Sequence, residues 1–70
     1  MNDFAAAATY FLRAAADSAD PDLLARAADA QLRAGRADGA RETVTRALEK
    51  DPTNPLALAV QRRIARGGAE

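Results

Sequence analysis

Apolar residues recur along this chain at spacings of three and four, and two short breaks interrupt the pattern. Phe4, Ala8, Phe11, Leu12 and Ala15 form the first stripe, the period of a helix with one buried face. Asn2 or Asp3 stands where an N-cap belongs. The spacing predicts a first helix over residues 3–16. Asp17-Ser18-Ala19-Asp20-Pro21 is the first break. Proline suits the first position of a new helix, and the aspartate before it is a good cap.

A second helix is predicted from Pro21 to Ala34, with Leu24, Ala27, Ala28 and Gln31 on one face. Gly35 supplies the left-handed residue that ends many helices. A third helix is predicted from Ala37 to Lys50. Its stripe is Ala40, Val44, Ala47 and Leu48. Asp38 in its first turn and Lys50 in its last suit the helix dipole. Gly39 lowers helix propensity, so a close approach of backbones is expected there. Asp51-Pro52-Thr53-Asn54-Pro55 is the second break, with Thr53 or Asn54 as cap. A fourth helix follows over residues 55–66 and stops at Gly67-Gly68. Pro21 and Pro55 lie 34 residues apart, each behind a capping residue. No run alternates β-branched and polar residues as a strand would. The chain is therefore read as all-α and as one domain over residues 1–70.

Composition sharpens this picture. Hydrophobic residues make up 49% of the 70 positions. Twenty of them are alanine, against seven Leu, two Val, one Ile and two Phe. Alanine lets helices approach closely but buries little area, at roughly 25 cal/mol per Å². One core of this size yields about 3–5 kcal/mol, so marginal stability is expected.

The second and third helices together resemble a tetratricopeptide repeat. That family has a large aromatic, Leu-Gly and Tyr on its first helix. Its second helix has Ala, an aromatic and Ala, followed by Pro. Here those places hold Leu24, Ala27-Ala28 and Gln31, then Ala40, Val44, Ala47 and Pro52. The small residues and the proline match, while every large aromatic is replaced. Ala7-x3-Phe11-x2-Ala14 mirrors Ala40-x3-Val44-x2-Ala47, so the first helix resembles the second half of a preceding repeat. Pro55 to Arg66 resembles the first half of a following one. The resemblance implies antiparallel helix hairpins stacked in a right-handed α-solenoid of about four helices. The full repeat would span residues 21–54. Residues 55–66 would act as a cap, because Gln61 and Arg62 occupy places where a following helix would press.

In this family one face of each first helix lines a groove for a protein or peptide partner. The resemblance implies that this face is Asp22, Ala25, Asp29 and Arg33, continued by Leu56, Ala59, Arg63 and Arg66. Arg63 and Arg66 have the chemistry to hold a carboxylate. A simpler reading makes them surface charges paired with acidic neighbours. The family's carboxylate-clamping variant uses Lys and Asn where this chain has Ala25 and Asp29. Asp29 would repel a carboxylate, so a chaperone-tail adaptor is not expected. Phe4, Tyr10 and Phe11 form a second candidate surface, for self-association as a homodimer. Burial of Phe4 and Phe11 against the second helix is the alternative.

Chemistry of other kinds finds little support. Cys and His are absent, and Ser18 is the only serine. A nucleophile with its base is therefore not expected, nor is a cofactor or a metal. Asp17, Asp20 and Asp22 lack the glycine and terminal glutamate of a calcium loop, and capping explains them better. Ten basic and ten acidic residues balance. Arg62, Arg63 and Arg66 are too small a cluster for a nucleic-acid footprint. No apolar run spans a bilayer and no signal peptide opens the chain, so a cytoplasmic protein is expected. The leading expectation is a non-catalytic adaptor or scaffold. The alternative is a structural helical bundle, or a piece of a longer solenoid, with no binding function of its own.

Overall fold

The capping signals act where the sequence places them. The computed structural model describes residues 3–18 and 20–67. Four helices follow in order: α1 (Phe4–Ser18), α2 (Pro21–Arg33), α3 (Ala37–Lys50) and α4 (Pro55–Ala65). No strand occurs among the described residues. Asp3 caps α1, its Oδ1 accepting from the Ala6 amide at 3.0 Å. Asn2, the other expected cap, lies outside the described residues. Asp20 caps α2 by accepting from the Asp22 amide at 2.9 Å. At the end of α2 the Arg36 amide donates to the Gln31 carbonyl and the Gly35 amide to the Leu32 carbonyl. This paired closure needs a left-handed residue, and Gly35 has φ 84°.

Helix α1 runs past its expected end at residue 16, through Ser18. Alanine continues the helix well, and the Ser18 hydroxyl donates back to the Ala14 carbonyl at 3.4 Å. Asp20 is extended at φ −68° and ψ 122°, as a residue before proline must be. Helix α4 ends at Ala65, with Arg66 as its C-cap and Gly67 at φ 103°. Gly68 lies outside the described residues.

Helix α2 is the centre of the fold. It packs against α1, α3 and α4, and α3 also packs against α4. Helix α1 meets α2 alone, and the antiparallel helices stack as the right-handed solenoid that the resemblance implies. The core holds four large side chains with almost no exposure: Leu24, Leu32, Val44 and Val60. Alanine supplies the rest, with Ala15, Ala28, Ala40, Ala47 and Ala57 all buried. Small side chains at the crossings draw the backbones together, and the four large ones fill the spaces between.

The first stripe divides. Ala8 and Ala15 are buried, whereas Phe4, Phe11 and Leu12 are half-buried. Helix α2 is buried far beyond its predicted face, because three neighbours surround it. Leu32, Ala25 and Ala30 join Leu24, Ala27 and Ala28 in the interior.

Gly39 is closely approached by a side chain, not by the backbone that was expected there. A Cβ at Gly39 would meet Gln31 Nε2 at 2.7 Å. Gln31 Oε1 is buried without a hydrogen-bond partner. Such an orphan acceptor costs about 1–3 kcal/mol. Replacing Gln31 by leucine is expected to raise the urea midpoint, with a stability gain of about 1 kcal/mol once imperfect packing is set against the relieved acceptor. A lower midpoint in Gln31→Leu would show that the amide is satisfied in solution.

Candidate functional site

Helix α2 keeps one strip of surface open, and the site forms over it. Ala25 and Ala30 are pulled inward, which leaves Arg26, Asp29 and Arg33 along the open side. Helix α1 flanks this strip with Phe4, Ala7 and Phe11. Leu56, in the first turn of α4, closes one end. Together with Ala30 these residues bound a groove of about 410 Å³. Its apolar side chains are held on helices rather than loops.

Charge is organised around Asp29. Its carboxylate accepts from Arg33 Nε at 3.2 Å within α2, and from Arg63 Nη1 at 3.0 Å across to α4. The Arg33 guanidinium also lies over the Phe4 ring, 5.6 Å from its centroid, a cation–π contact. The Asp29 and Arg63 side chains are 25% and 31% exposed. They sit at a rim where water screens them less than on an open surface. Arg26 makes no ion pair or hydrogen bond among the described residues.

A second link ties α4 to α2. Asn54 is buried at 2% exposure. Its Oδ1 accepts from the Ala57 amide at 2.9 Å, capping α4, while its Nδ2 donates to Asp22 Oδ1 at 2.6 Å. Thr53, the alternative cap, instead donates to Asp51 through its amide and hydroxyl.

The residues expected to line a groove are only partly brought together. Asp29, Arg33 and Leu56 line the groove, and Arg63 reaches it only through Asp29, paired with an acidic neighbour as the simpler reading of it has it. Asp22 is engaged by Asn54 at the start of α2. Ala59 and Arg66 are exposed on α4 and stand apart from the groove. Ala25 requires correction: it has no exposed surface, because α2 turns that side into the core. Phe4 and Phe11 are half-buried, packed beside α2 and still open to the groove. Tyr10 is 68% exposed and meets Phe11 edge-on, with ring centroids 5.5 Å apart.

Sequence reasoning missed Arg26, Ala7 and Ala30. The spacing Phe4-x2-Ala7-x3-Phe11 was the available signal on α1, since it defines a face distinct from Ala8 and Ala15. Arg26 and Ala30 flank Asp29 at three residues before and one after, and only the position of α1 beside them makes them groove residues. A second cleft of about 390 Å³ lies between α3 and α4, around Val44, Thr45 and Ile64.

No group of acidic side chains suited to a metal ion occurs among the described residues, and no helix among them is long and apolar enough to cross a membrane. Stacked antiparallel helix pairs with an open apolar groove define the class: a helical repeat protein. A family model described as tetratricopeptide repeat matches residues 1–64, and the chain belongs to that family. Repeats of this kind generally bind other proteins and carry out no catalysis. No curated protein matches the chain significantly, and no solved structure does.

Proposed function

We propose that the protein is a cytoplasmic adaptor that holds a segment of a partner protein in the groove over α2. The single observation that carries this reading is the groove itself: apolar side chains from three helices left open beside a preformed ion-pair cluster. Its volume falls within the range of binding clefts, about 300–1,000 Å³. The molecule is 27 Å in its longest dimension, so the groove accommodates about one helix length of partner. Asp29, Arg33, Leu56 and Arg63 belong to the site, joined by Phe4 and Phe11. Neither nucleic acid nor a membrane is part of this reading.

Self-association is the second reading, and the exposure of Tyr10 favours it. An exposed aromatic beside Phe11 is the kind of surface that a second copy covers. Light scattering over a dilution series separates the two. A constant monomer mass is expected if the groove serves a different protein. A dimer that dissociates and loses helicity on dilution would assign α1 to self-pairing.

The groove itself is tested with a random peptide library displayed on phage. Recovered peptides are expected to shift the amide resonances of Phe4, Ala7, Phe11, Ala30 and Leu56. Shifts confined to α3, or recovery of no peptide, would overturn the reading.

A further inference from the structure

We infer that the groove selects an acidic segment, whose carboxylates meet Arg26, Arg33 and Arg63 while its apolar side chains enter between Phe4, Phe11 and Leu56. The inference rests on the groove being the partner site, and adds the chemistry of what it accepts.

Arg33 and Arg63 share one carboxylate, Asp29. Arg26, also on the groove wall, has no acidic partner among the described residues. The wall therefore carries two guanidinium groups against one carboxylate, an excess of one positive charge, and Arg63 adds to it from α4 through its pair with Asp29. From sequence alone Asp29 reads as a group that repels carboxylates. In the folded chain its charge is already matched by two arginines, and the net field at the wall is positive.

Geometry adds to the count. Arg33 is held from two sides, by Asp29 at its Nε and by the Phe4 ring. Its two terminal nitrogens make no hydrogen bond among the described residues. A planar fork held in this way receives a carboxylate with little further ordering. The apolar floor beside it excludes water, which strengthens charge pairing there relative to an open surface. A partner with carboxylates along an apolar face satisfies both features.

The same charge count decides between occupants. A second copy packed groove to groove would bring the same excess of arginine over aspartate on its lining, so like charges would oppose across the contact. A basic segment meets the same repulsion. An uncharged apolar segment would leave Arg26 without a partner at a partly dehydrated wall.

The test uses the whole chain and the displayed random library. Recovered peptides are expected to be more acidic than the starting library and to carry a large apolar residue. A recovered peptide, made synthetically, is expected to lose at least about tenfold in affinity on Arg26→Gln, and more when Arg33→Gln is added. Raising salt from about 50 to about 300 mM is expected to weaken it similarly, through shorter screening lengths. Arg46→Gln, an exposed position on α3 outside the groove, is expected to leave affinity unchanged. Arg26→Gln removes no hydrogen bond or ion pair among the described residues, so loss of folding is not expected to confuse its result, and thermal melting checks this.

Neutral or basic peptides that still lose binding when Ala7→Trp fills the groove would overturn the charge inference and leave the groove reading standing. Peptides indifferent to Ala7→Trp, or none recovered, would overturn both.

Discussion

Replacing Leu32 with alanine is expected to remove cooperative unfolding of this chain at 25 °C. Leu32 is 0% exposed and is one of only four large side chains fully inside the core. Deleting a buried leucine to alanine costs about 2–5 kcal/mol, the spread depending on how far the cavity collapses. A core in a chain of this size supplies about 3–5 kcal/mol in total. The core as a whole is largely alanine, with few rotatable groups to move into the space, which places the loss toward the upper end. Circular dichroism during a urea titration is expected to show a shallow or absent transition. Leu12→Ala provides the contrast: Leu12 is half-buried on the outermost helix, and its loss is expected to cost about 1 kcal/mol. Comparable urea midpoints for the two variants would mean that Leu32 is not packed as described.

Asn54 carries the second large effect, because one side chain performs two tasks. Its carbonyl oxygen caps α4 and its amide nitrogen binds Asp22 of α2. Loss of a cap costs about 0.5–2 kcal/mol, and a hydrogen bond to a charged group adds about 1.5–3 kcal/mol. Asn54→Ala is expected to lower stability by about 2–3 kcal/mol, less than the sum because Asp22 regains water. Asn54→Asp separates the tasks. The new carboxylate still caps, but it meets Asp22 where the amide stood, 2.6 Å away. Two carboxylates so close cannot both ionise without a penalty, so the folded chain holds one of them protonated to higher pH than the unfolded chain does. A carboxyl whose folded-state pKa is raised costs stability at high pH and releases that cost as pH falls through the raised value. Asn54→Asp is therefore expected to be weakest at neutral pH and to recover toward wild type in mild acid. A stability deficit independent of pH would sink the account of the Asp22 contact.

These two residues also mark how far the chain could be read before it was seen folded. Local signals were sufficient for the helices. Proline after a capping aspartate or asparagine, glycine after an amphipathic run and stripes at helical spacing are all read within a few residues. The end of α1 slipped because Asp17 and Ser18 look like a break, yet nothing in their backbone forbids helix until the restriction imposed by Pro21. Leu32 was not placed in the core, because a single-face stripe on α2 stops at Gln31. Three neighbours around α2 make its buried surface wider than any one stripe.

The groove shows the same division. The residue-by-residue resemblance pointed to Asp29, Arg33 and Leu56, which line the groove, and to Arg63, which pairs with Asp29. It also pointed to Ala25, which α2 turns into the core. Arg26 and Ala30 became groove residues only through the placement of α1 alongside them. Asp29 changed meaning altogether once Arg33 and Arg63 closed on it.

By itself the sequence determined the four helices, the capping signals at their breaks and the resemblance to the repeat family. Those depend on backbone propensities and on contacts between near neighbours along the chain. Only the tertiary structure decided which side of α2 stays open, which aromatic is exposed and what net charge the groove presents. Burial and charge balance are sums over residues distant in sequence, such as Asp29 and Arg63, and folding alone brings their terms together.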